Sequence, residues 1–329
     1  MNIQTNLYPL KFHPILKSII WGGEQITEFK GITPKQNGIG ESWEVSAVKN
    51  NVSVVSNGVL AGKPIDELIA VYGASLVGKE NIEKFGQKFP LLIKFIDARD
   101  DLSIQVHPND QLAQQRHNSF GKTEMWYVVK AQPGARLYSG FRKQIDPEKY
   151  VDHVKNNTIM DVLQRYEVKE DDLFFLPPGR VHAIGAGTFI AEIQQTSDIT
   201  YRIYDYNRKD ALGQERELHT DLAKDAIDYR VEADYRIYYN EKLNEAVLLA
   251  TCDYFTTNLL HFDKTIKRNI GERDSFFIYI CMKGKLTLTD NKGNTVELRQ
   301  GETVLLPADT KEITLLPSSV CKMLETFVG

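Results

Sequence analysis

Gln105 and His107 lie two residues apart in the string S-I-Q-V-H-P-N-D, which has the composition of a short strand. Successive side chains of a strand point to opposite faces, so an amide and an imidazole would project from the same face. Ser103 would lie beside them, while Ile104 and Val106 would form an apolar face on the other side. This pattern places metal-capable donors on one side of a half-buried strand.

Glu124 begins a second strand-like run, because the residues from Met125 to Val129 are aromatic, β-branched or apolar. An ionised carboxylate in a buried strand needs a partner or a cation to offset its desolvation, and a divalent metal would supply one. A histidine in a strand can equally be a structural residue, and short motifs match by chance. These two strands alone leave both interpretations open.

His182 adds a fourth candidate donor in the string F-F-L-P-P-G-R-V-H-A-I-G. Proline fixes φ and glycine permits positive φ, so Pro177, Pro178 and Gly179 predict a tight hairpin corner that determines where His182 projects. Two imidazoles, a carboxylate and an amide oxygen suit a hard-to-borderline divalent ion such as zinc, with iron(II) and manganese as competitors.

The strings around these donors resemble a known family. A strand with His followed by Glu, then a P-x-G-x-x-H hairpin, is similar to the cupin superfamily of small jelly-roll barrels. L-S-I-Q-V-H-P-N-D, G-K-T-E-M-W-Y-V, P-P-G-R-V-H-A-I-G-A-G and Q-Q-T-S-D-I-T-Y-R, in that order, resemble type I mannose-6-phosphate isomerase in its short bacterial form. The resemblance implies a mainly β chain of two cupin-type jelly-roll barrels with short helical insertions.

The resemblance also implies roles for residues that match the family strings. It assigns one zinc ion per chain to four ligands: Gln105, His107, Glu124 and His182. Lys122 matches an active-site lysine, and strand alternation places it on the face of Glu124. Ser103 matches a position near the sugar or phosphate. Arg202 matches an arginine proposed to act in catalysis or to bind the anionic group, although by itself it could pair with Asp198 or Asp205.

Two further residues are expected to bind substrate. Lys94 interrupts the apolar run from Phe89 to Ala98, so its charge either reaches solvent from an edge strand or points into a pocket. Glu44 lies in G-E-S-W-E-V-S, and the resemblance implies that it approaches the sugar, together with Trp21. A surface glutamate and a core tryptophan are the alternatives.

The implied reaction interconverts mannose 6-phosphate and fructose 6-phosphate through a cis-enediol intermediate. Moving a proton between C1 and C2 requires stabilisation of a developing oxyanion and a proton carrier, for which a zinc-bound water, Lys122 and Glu44 are candidates. Two alternatives remain from the residues alone. Two histidines and a carboxylate also describe iron(II) oxygenases, and a cupin can bind sugar phosphates without catalysis.

Bulk properties are those of a water-soluble globular protein. The 329 residues are 42% apolar and 26% charged, and the formal net charge of −4 gives no reason to expect nucleic acid or an anionic membrane as partner. The N-terminal residues lack the pattern of a signal peptide, so we expect cytoplasmic residence. We also expect a monomer or weak homo-oligomer whose partner is a small phosphosugar. Cys252, Cys281 and Cys321 are too few and too widely spaced for a disulfide framework.

The chain is expected to divide into a catalytic cupin domain at 1–240 and a C-terminal cupin-like domain at 241–329. Helical periodicity predicts an insertion over residues 64–87, while Pro108 to Lys122 is expected to be a loop. In the C-terminal part, G-E-T-V-L-L-P-A-D-T-K-E aligns with D-D-L-F-F-L-P-P-G-R-V-H and places Glu312 where His182 lies. The second cupin is therefore expected to have no metal site.

Overall fold

The computed structural model describes residues 6–209 and 213–329, and strands dominate it. Polar turns and glycines separate short apolar runs along the sequence, which favours many short strands. The strands assigned in the described residues are β1 (Leu10–Lys11), β2 (Ile15–Gly23), β3 (Ile39–Val45), β4 (Ala47–Val48), β5 (Asn51–Val52), β6 (Leu91–Ala98), β7 (Ile104–Val106), β8 (Glu124–Ala131), β9 (Arg136–Phe141), β10 (Leu163–Glu167), β11 (Leu173–Leu176), β12 (His182–Ile184), β13 (Thr188–Gln195), β14 (Tyr201–Tyr204), β15 (Arg236–Ile237), β16 (Ala246–Thr251), β17 (Thr256–Phe262), β18 (Ile266–Asn269), β19 (Phe277–Lys283), β20 (Lys285–Asp290), β21 (Thr295–Arg299), β22 (Thr303–Leu306), β23 (Glu312–Pro317) and β24 (Cys321–Phe327). The mainly β prediction is confirmed.

The helices of the described residues are short insertions between strands. They are α1 (Gln25–Phe29), α2 (Ile65–Tyr72), α3 (Ala74–Val77), α4 (Lys79–Phe85), α5 (Asp110–His117), α6 (Pro147–Lys155) and α7 (Thr220–Ala226), with 3₁₀ turns at Gly58–Leu60 and Ile159–Val162. The helical segment predicted at 64–87 is broken into three helices because Gly73 and Gly78 adopt positive φ. The loop predicted after Pro108 contains α5, which Asn109 caps by accepting a hydrogen bond from the Leu112 amide.

Two antiparallel sheets form the first jelly roll. One has the strand order β15-β11-β8-β13-β6-β2-β3 and the other β10-β9-β12-β7-β14. Because each jelly roll consists of two separate sheets, neither closes into a continuous barrel, which is the usual double-sheet form of this architecture. Trp126, Phe174 and Ile184 belong to the apolar cluster between the two sheets. The predicted metal ligands come from both sheets, since β8 belongs to the first and β7 and β12 to the second.

The second jelly roll pairs a six-stranded sheet, β1-β22-β19-β24-β17-β16, with a four-stranded sheet, β18-β23-β20-β21. Its outer strand β1 comes from the N-terminal end of the described chain, where Leu10 pairs with Leu305. The two jelly rolls pack tightly, and the rings of Phe89 and Phe276 lie 4.7 Å apart between them. The division of the chain between residues 240 and 241 stays a prediction. Because β1 belongs to the N-terminal half of the sequence but pairs within the second jelly roll, the chain crosses between the two halves.

Candidate metal centre and active-site cavity

Three side chains meet between the sheets of the first jelly roll. His107, Glu124 and His182 each offer one ligand atom, and these atoms all lie within 4.8 Å of one another. The Glu124 carboxylate is 3.5 Å from His107 Nε2 through one oxygen and 3.2 Å from His182 Nε2 through the other. All three are buried. In residues 6–209 and 213–329 this is the only grouping of three or more His, Cys, Asp or Glu ligand atoms with such spacing.

Strand pairing brings Gln105 to the same place. Gln105 is directly opposite His182 in the antiparallel pair of β7 and β12, and its amide nitrogen lies 3.2 Å from His182 Nε2. The hairpin corner predicted at the two prolines precedes β12, and Gly179 there has a φ of 87°. The structure therefore brings together the four side chains that the sequence predicts as ligands.

Hydrogen bonds at the far side of each ring fix the histidine tautomers. His107 Nδ1 lies 2.9 Å from the Ile199 carbonyl oxygen, and His182 Nδ1 lies 2.8 Å from that of Arg180. A carbonyl oxygen only accepts, so each Nδ1 carries the proton and donates it. Each Nε2 then directs a lone pair into the cluster, which is the arrangement of metal-binding histidines.

The electrostatics of the cluster disfavour protonated histidines. Burial lowers the pKa of His182 to about 4, and burial together with the Lys122 charge lowers the pKa of His107 well below its usual range. Burial and the nearby Glu192 charge raise the pKa of Glu124 to about 8. Neutral imidazoles are the ligand form, and a carboxylate that resists ionisation is one that a cation would stabilise.

Unsatisfied polar atoms test whether a metal fits. His107 Nε2 and both carboxylate oxygens of Glu124 are buried and have no hydrogen-bond partner of acceptable geometry. Buried polar atoms are otherwise almost always satisfied, so three orphaned ligand atoms facing one point require an explanation. A divalent cation held by His107, Glu124 and His182 fits this donor set. Gln105 would become a fourth donor through its amide oxygen once the amide is turned, because its nitrogen faces His182 in this arrangement.

A cavity of about 300 Å³ opens beside the cluster. Gln105 and Lys122 belong to its wall, so the cavity adjoins the candidate donor cluster. Trp21 and Leu102 supply apolar surface, and Ser103 contributes a hydroxyl. Specific ligand sites combine an apolar wall with a few placed polar groups, and this volume is at the small end of their range.

Lys94 points into this cavity from the middle of a sheet. Its strand, β6, pairs with both β13 and β3, so the edge-strand alternative is wrong. Lys94 Nζ lies 2.7 Å from a Glu192 carboxylate oxygen, and Trp126 Nε1 donates to the other oxygen at 2.9 Å. Burial opposes the charge of Lys94, but Glu192 and then Glu41 raise its pKa to about 12. For Glu192, Lys94 overcomes burial and lowers the pKa to about 2.

Lys122 lies between the cavity and the metal ligands. Its Nζ is 3.6 Å from a Glu124 carboxylate oxygen, and the side chain is buried. Alternation along the segment that enters β8 puts Lys122 and Glu124 on one face, as the sequence predicts. An ammonium group here can reach both the cavity and the edge of the cluster.

Arg202 is the cavity guanidinium with the least internal pairing. Its Nη1 donates to the Glu217 carbonyl oxygen at 3.0 Å, while its Nε is buried without a partner. Burial, with the charge of Arg216, lowers the pKa of Arg202. Asp205 pairs with Arg216 and Arg208. Among the described residues, Arg202 forms no ion pair with Asp205 or with Asp198, the two structural partners considered from sequence.

Glu44 is not on the cavity wall, so the structure does not bring it together with the other residues expected to bind substrate. Both of its carboxylate oxygens accept hydrogen bonds from Lys30 Nζ at 2.8 Å, and one also accepts from Ser42 Oγ at 2.6 Å. The opposite face of β3 carries Glu41 and Trp43, which line the cavity as Trp21 does. The surface-glutamate alternative is also wrong, since the Glu44 side chain is 5% exposed.

Several cavity residues were not predicted as site residues. Glu192 lies directly opposite Lys94 in the pairing of β13 with β6, and Trp43 lies opposite Lys94 on the other side. A carboxylate inside the apolar run F-I-A-E-I could have pointed to Glu192 by the argument applied to Glu124. Asp198 and Arg216 also reach the wall, but from segments without regular periodicity.

The interior of the second jelly roll holds a different polar cluster. Glu325 is fully buried and accepts hydrogen bonds from Arg268 Nη2 at 2.6 Å, Asn258 Nδ2 at 2.9 Å and the Tyr279 hydroxyl at 2.5 Å. The guanidinium supplies the positive charge that this carboxylate needs. Across the described residues, no helix is both long and apolar enough to cross a membrane.

Comparison with known proteins agrees with this geometry. A family model described as "Phosphomannose isomerase type I, catalytic domain" matches residues 10–159, and one described as "Mannose-6-phosphate isomerase, cupin domain" matches residues 244–324. The chain is 33% identical to mannose-6-phosphate isomerase ManA of Bacillus subtilis over 95% of this chain and 97% of that protein. It is also 33% identical to the mannose-6-phosphate isomerase of Streptococcus mutans, over 92% and 93% of the two chains.

Solved structures give the same result. The crystal structure of the mannose 6-phosphate isomerase from Bacillus subtilis superimposes with a TM-score of 0.86 at 28% identity, covering 97% of this chain and 99% of that one. A putative mannosephosphate isomerase from Archaeoglobus fulgidus has the same fold, with a TM-score of 0.79 at 24% identity over the full length of both chains. With the cupin fold, the predicted donor cluster and relatives matched over nearly their whole length, this chain belongs to the type I mannose-6-phosphate isomerase family.

Proposed function

We propose that this chain interconverts mannose 6-phosphate and fructose 6-phosphate through a cis-enediol intermediate. The observation that supports this proposal most directly is the cavity beside His107, Glu124 and His182. Its wall combines Lys122, near the donor cluster, with Arg202 as an anion-binding group. A phosphosugar needs both ends of such a site, one for its carbonyl carbons and one for its phosphate. The named relatives reported above are all mannose-6-phosphate isomerases, which supports this substrate.

Zinc is the proposed metal, with one ion per chain held by Gln105, His107, Glu124 and His182. Two neutral imidazoles and a carboxylate are a usual zinc donor set, and the orphaned atoms of His107 and Glu124 support their use as ligands. When bound, zinc would polarise the substrate carbonyl and stabilise negative charge developing on oxygen.

Arg202 is proposed to bind the phosphate. Its buried Nε lacks a partner, so an anion would satisfy that atom without breaking an ion pair. A guanidinium also matches phosphate geometry through two parallel hydrogen bonds. Ser103 lies on the same cavity wall and is proposed to donate its hydroxyl to the sugar or phosphate.

Lys122 Nζ is proposed to move the proton between C1 and C2. The position of Glu44 outside the cavity removes it from the candidates, and Glu192 is a weak base because Lys94 holds its pKa low. Lys94 then serves to keep Glu192 ionised and to offer an ammonium to the sugar hydroxyls. Lys122 Nζ would accept the proton from C2 of mannose 6-phosphate and return it to C1, and the burial of its side chain would limit exchange of that proton with water.

A coupled assay tests the proposal. Fructose 6-phosphate formed from mannose 6-phosphate is measured for the purified chain, after chelation, and after zinc, iron(II) or manganese is restored singly. Loss on chelation and recovery with zinc support the proposed reaction and metal. Oxygen consumption in the iron(II) form without formation of fructose 6-phosphate would favour the oxygenase alternative. Tight hexose 6-phosphate binding without turnover in every metal form would favour a binding protein.

Cytoplasmic location is proposed because phosphosugars are intracellular metabolites and the three cysteines are unpaired. We also propose a monomer or weak homo-oligomer whose partners are phosphosugars, with no role for nucleic acid or membranes. Light scattering on the purified chain measures the oligomeric state directly.

A further inference from the structure

Hydrogen bonds hold the backbone at Lys122 and at the residue on either side of it. The Lys122 amide donates to the Pro108 carbonyl oxygen at 3.2 Å. The Gly121 amide donates to Asp110 Oδ1 at 2.7 Å, and the Thr123 amide donates to Gln195 Oε1 at 2.7 Å. Three consecutive amides are therefore fixed, and two of them depend on side chains.

Asp110 links these two side-chain contacts. Its Oδ1 accepts from Gln195 Nε2 at 3.1 Å as well as from the Gly121 amide. Gln195 is buried and also donates its backbone amide to the Thr123 carbonyl oxygen at 3.1 Å. One carboxylate oxygen thus anchors both amides that flank Lys122.

The other oxygen of Asp110 is bound from the second jelly roll. The Tyr254 hydroxyl, in the turn between β16 and β17, donates to Asp110 Oδ2. Burial and the hydrogen bond to Asp110 raise the pKa of Tyr254, so the phenol remains a donor at neutral pH. This contact joins the C-terminal half of the chain to the segment that carries the active-site lysine.

Close packing makes the contact sensitive to small shifts. A Cβ placed on Gly121 would lie 2.6 Å from the Asn109 carbonyl carbon and 2.9 Å from the Pro108 carbonyl oxygen. The two segments therefore lie at backbone contact, and a change at Asp110 is transmitted to Lys122 with little slack.

We propose that Asp110 and Tyr254 are positioning residues for Lys122, and that the second jelly roll supports catalysis through them. Neither residue lines the cavity, so each acts through the lysine and not on substrate. The inference rests on the proposed function, since it gives Lys122 the proton-transfer role. Misplacement of a catalytic group by about 1 Å can cost on the order of 100-fold in rate, so a loss of anchoring should appear in kcat.

The test compares Asp110→Ala, Asp110→Asn and Tyr254→Phe by kcat, KM and metal content. In Asp110→Ala we expect kcat to fall about 10- to 100-fold with metal content retained and KM changed less than about threefold. Asp110→Asn keeps an oxygen acceptor for Gly121 and Gln195 and should restore most of kcat. Tyr254→Phe should lower kcat by a smaller factor. Tyr238→Phe is the matched control, because Tyr238 donates to Asp234 at 2.9 Å on an exposed surface.

A double variant separates a positioning role of Asp110 from general destabilisation of the protein. If Asp110 acts through Lys122, adding Asp110→Ala to Lys122→Gln should lower kcat no further. A further tenfold loss in that background, or unchanged kcat in both Asp110→Ala and Tyr254→Phe, overturns the proposal. Loss of the metal in Asp110→Ala also overturns it.

Amide hydrogen exchange tests the same contacts without turnover. Asp110→Ala should speed exchange at the amides of Gly121 and Thr123, while Tyr238→Phe should leave them protected. Unchanged exchange in Asp110→Ala would contradict the positioning role. A wild-type chain that fails to isomerise mannose 6-phosphate would instead refute the proposed function, which this measurement does not use.

Discussion

The buried pair of Lys30 and Glu44 gives a prediction that separates stability from substrate binding. Lys30 Nζ binds both Glu44 carboxylate oxygens at 2.8 Å and also contacts the Gly301 carbonyl oxygen of the second jelly roll. Replacing Lys30 with Met removes the cation and leaves the Glu44 carboxylate buried without its partner. We therefore expect a large loss of stability.

The magnitude follows from the burial of the pair. The side chains are 7% and 5% exposed, and breaking a buried ion pair by removing one partner costs about 3–5 kcal/mol. The double variant Lys30→Met with Glu44→Leu should recover most of this loss, because no charge is then left buried. Lys35→Met is the matched control: its pair with Glu24 is 48% and 51% exposed, and such a pair is worth at most about 1 kcal/mol.

Two measurements test this prediction: denaturant unfolding gives the free energy of unfolding, and steady-state kinetics gives KM and kcat. Glu44→Gln should lower the unfolding free energy while KM for mannose 6-phosphate changes less than about threefold, because Glu44 is outside the cavity. Glu41→Gln should do the reverse, raising KM with little effect on stability, since Glu41 lines the cavity. A Glu44→Gln variant with normal stability and a KM raised tenfold would refute this reasoning and return Glu44 to the substrate site.

Three further predictions concern the site itself. Arg202→Ala should lower kcat/KM by about 10- to 100-fold, which is the equivalent of one charge-assisted hydrogen bond. Elemental analysis should show an unchanged metal content. An unchanged kcat/KM would remove Arg202 from the site. Chelation should abolish activity and lower the melting temperature, because a ligand bound only to the folded state stabilises it, whereas His182→Ala should show no further shift on chelation. The folded pKa of Glu192 lies below its unfolded value, so the stability its ion pair contributes is present above about pH 4.5 and is lost as pH falls toward 2. The stability difference between wild type and Glu192→Gln should therefore shrink on acidification through this range, and a constant difference would contradict the pairing with Lys94.

Strand periodicity predicted part of the candidate donor cluster. Gln105 and His107 share a face by alternation, and the proline corner directs His182 toward them, so local geometry determined much of the arrangement. The pairing that completes the cluster is long-range, because Gln105 lies opposite His182 across 77 residues of sequence. The family strings supplied that pairing, and periodicity alone could not.

Lys94 shows where sequence reasoning reaches its limit. A lysine in an apolar strand is compatible with an edge strand and with a pocket, and only the sheet order distinguishes the two. β6 lies inside the seven-stranded sheet, and the Glu192 that pairs with Lys94 comes from β13. The charge of Lys94 is explained by a partner that only the strand register reveals.

Glu44 and Glu41 show how one strand can support the site from both faces. The resemblance implied that Glu44 approaches the sugar, but the sequence does not determine whether the face of β3 that carries Glu44 meets the cavity. Lys30 satisfies Glu44 from outside the cavity, so that face is internal structure, and the aromatic face that carries Glu41 meets the cavity. Since Lys30 also contacts Gly301, the second jelly roll holds β3 on the side opposite its cavity residues. Together with the contact of Tyr254 to Asp110, this gives the C-terminal half two separate contacts with segments that lead to cavity residues.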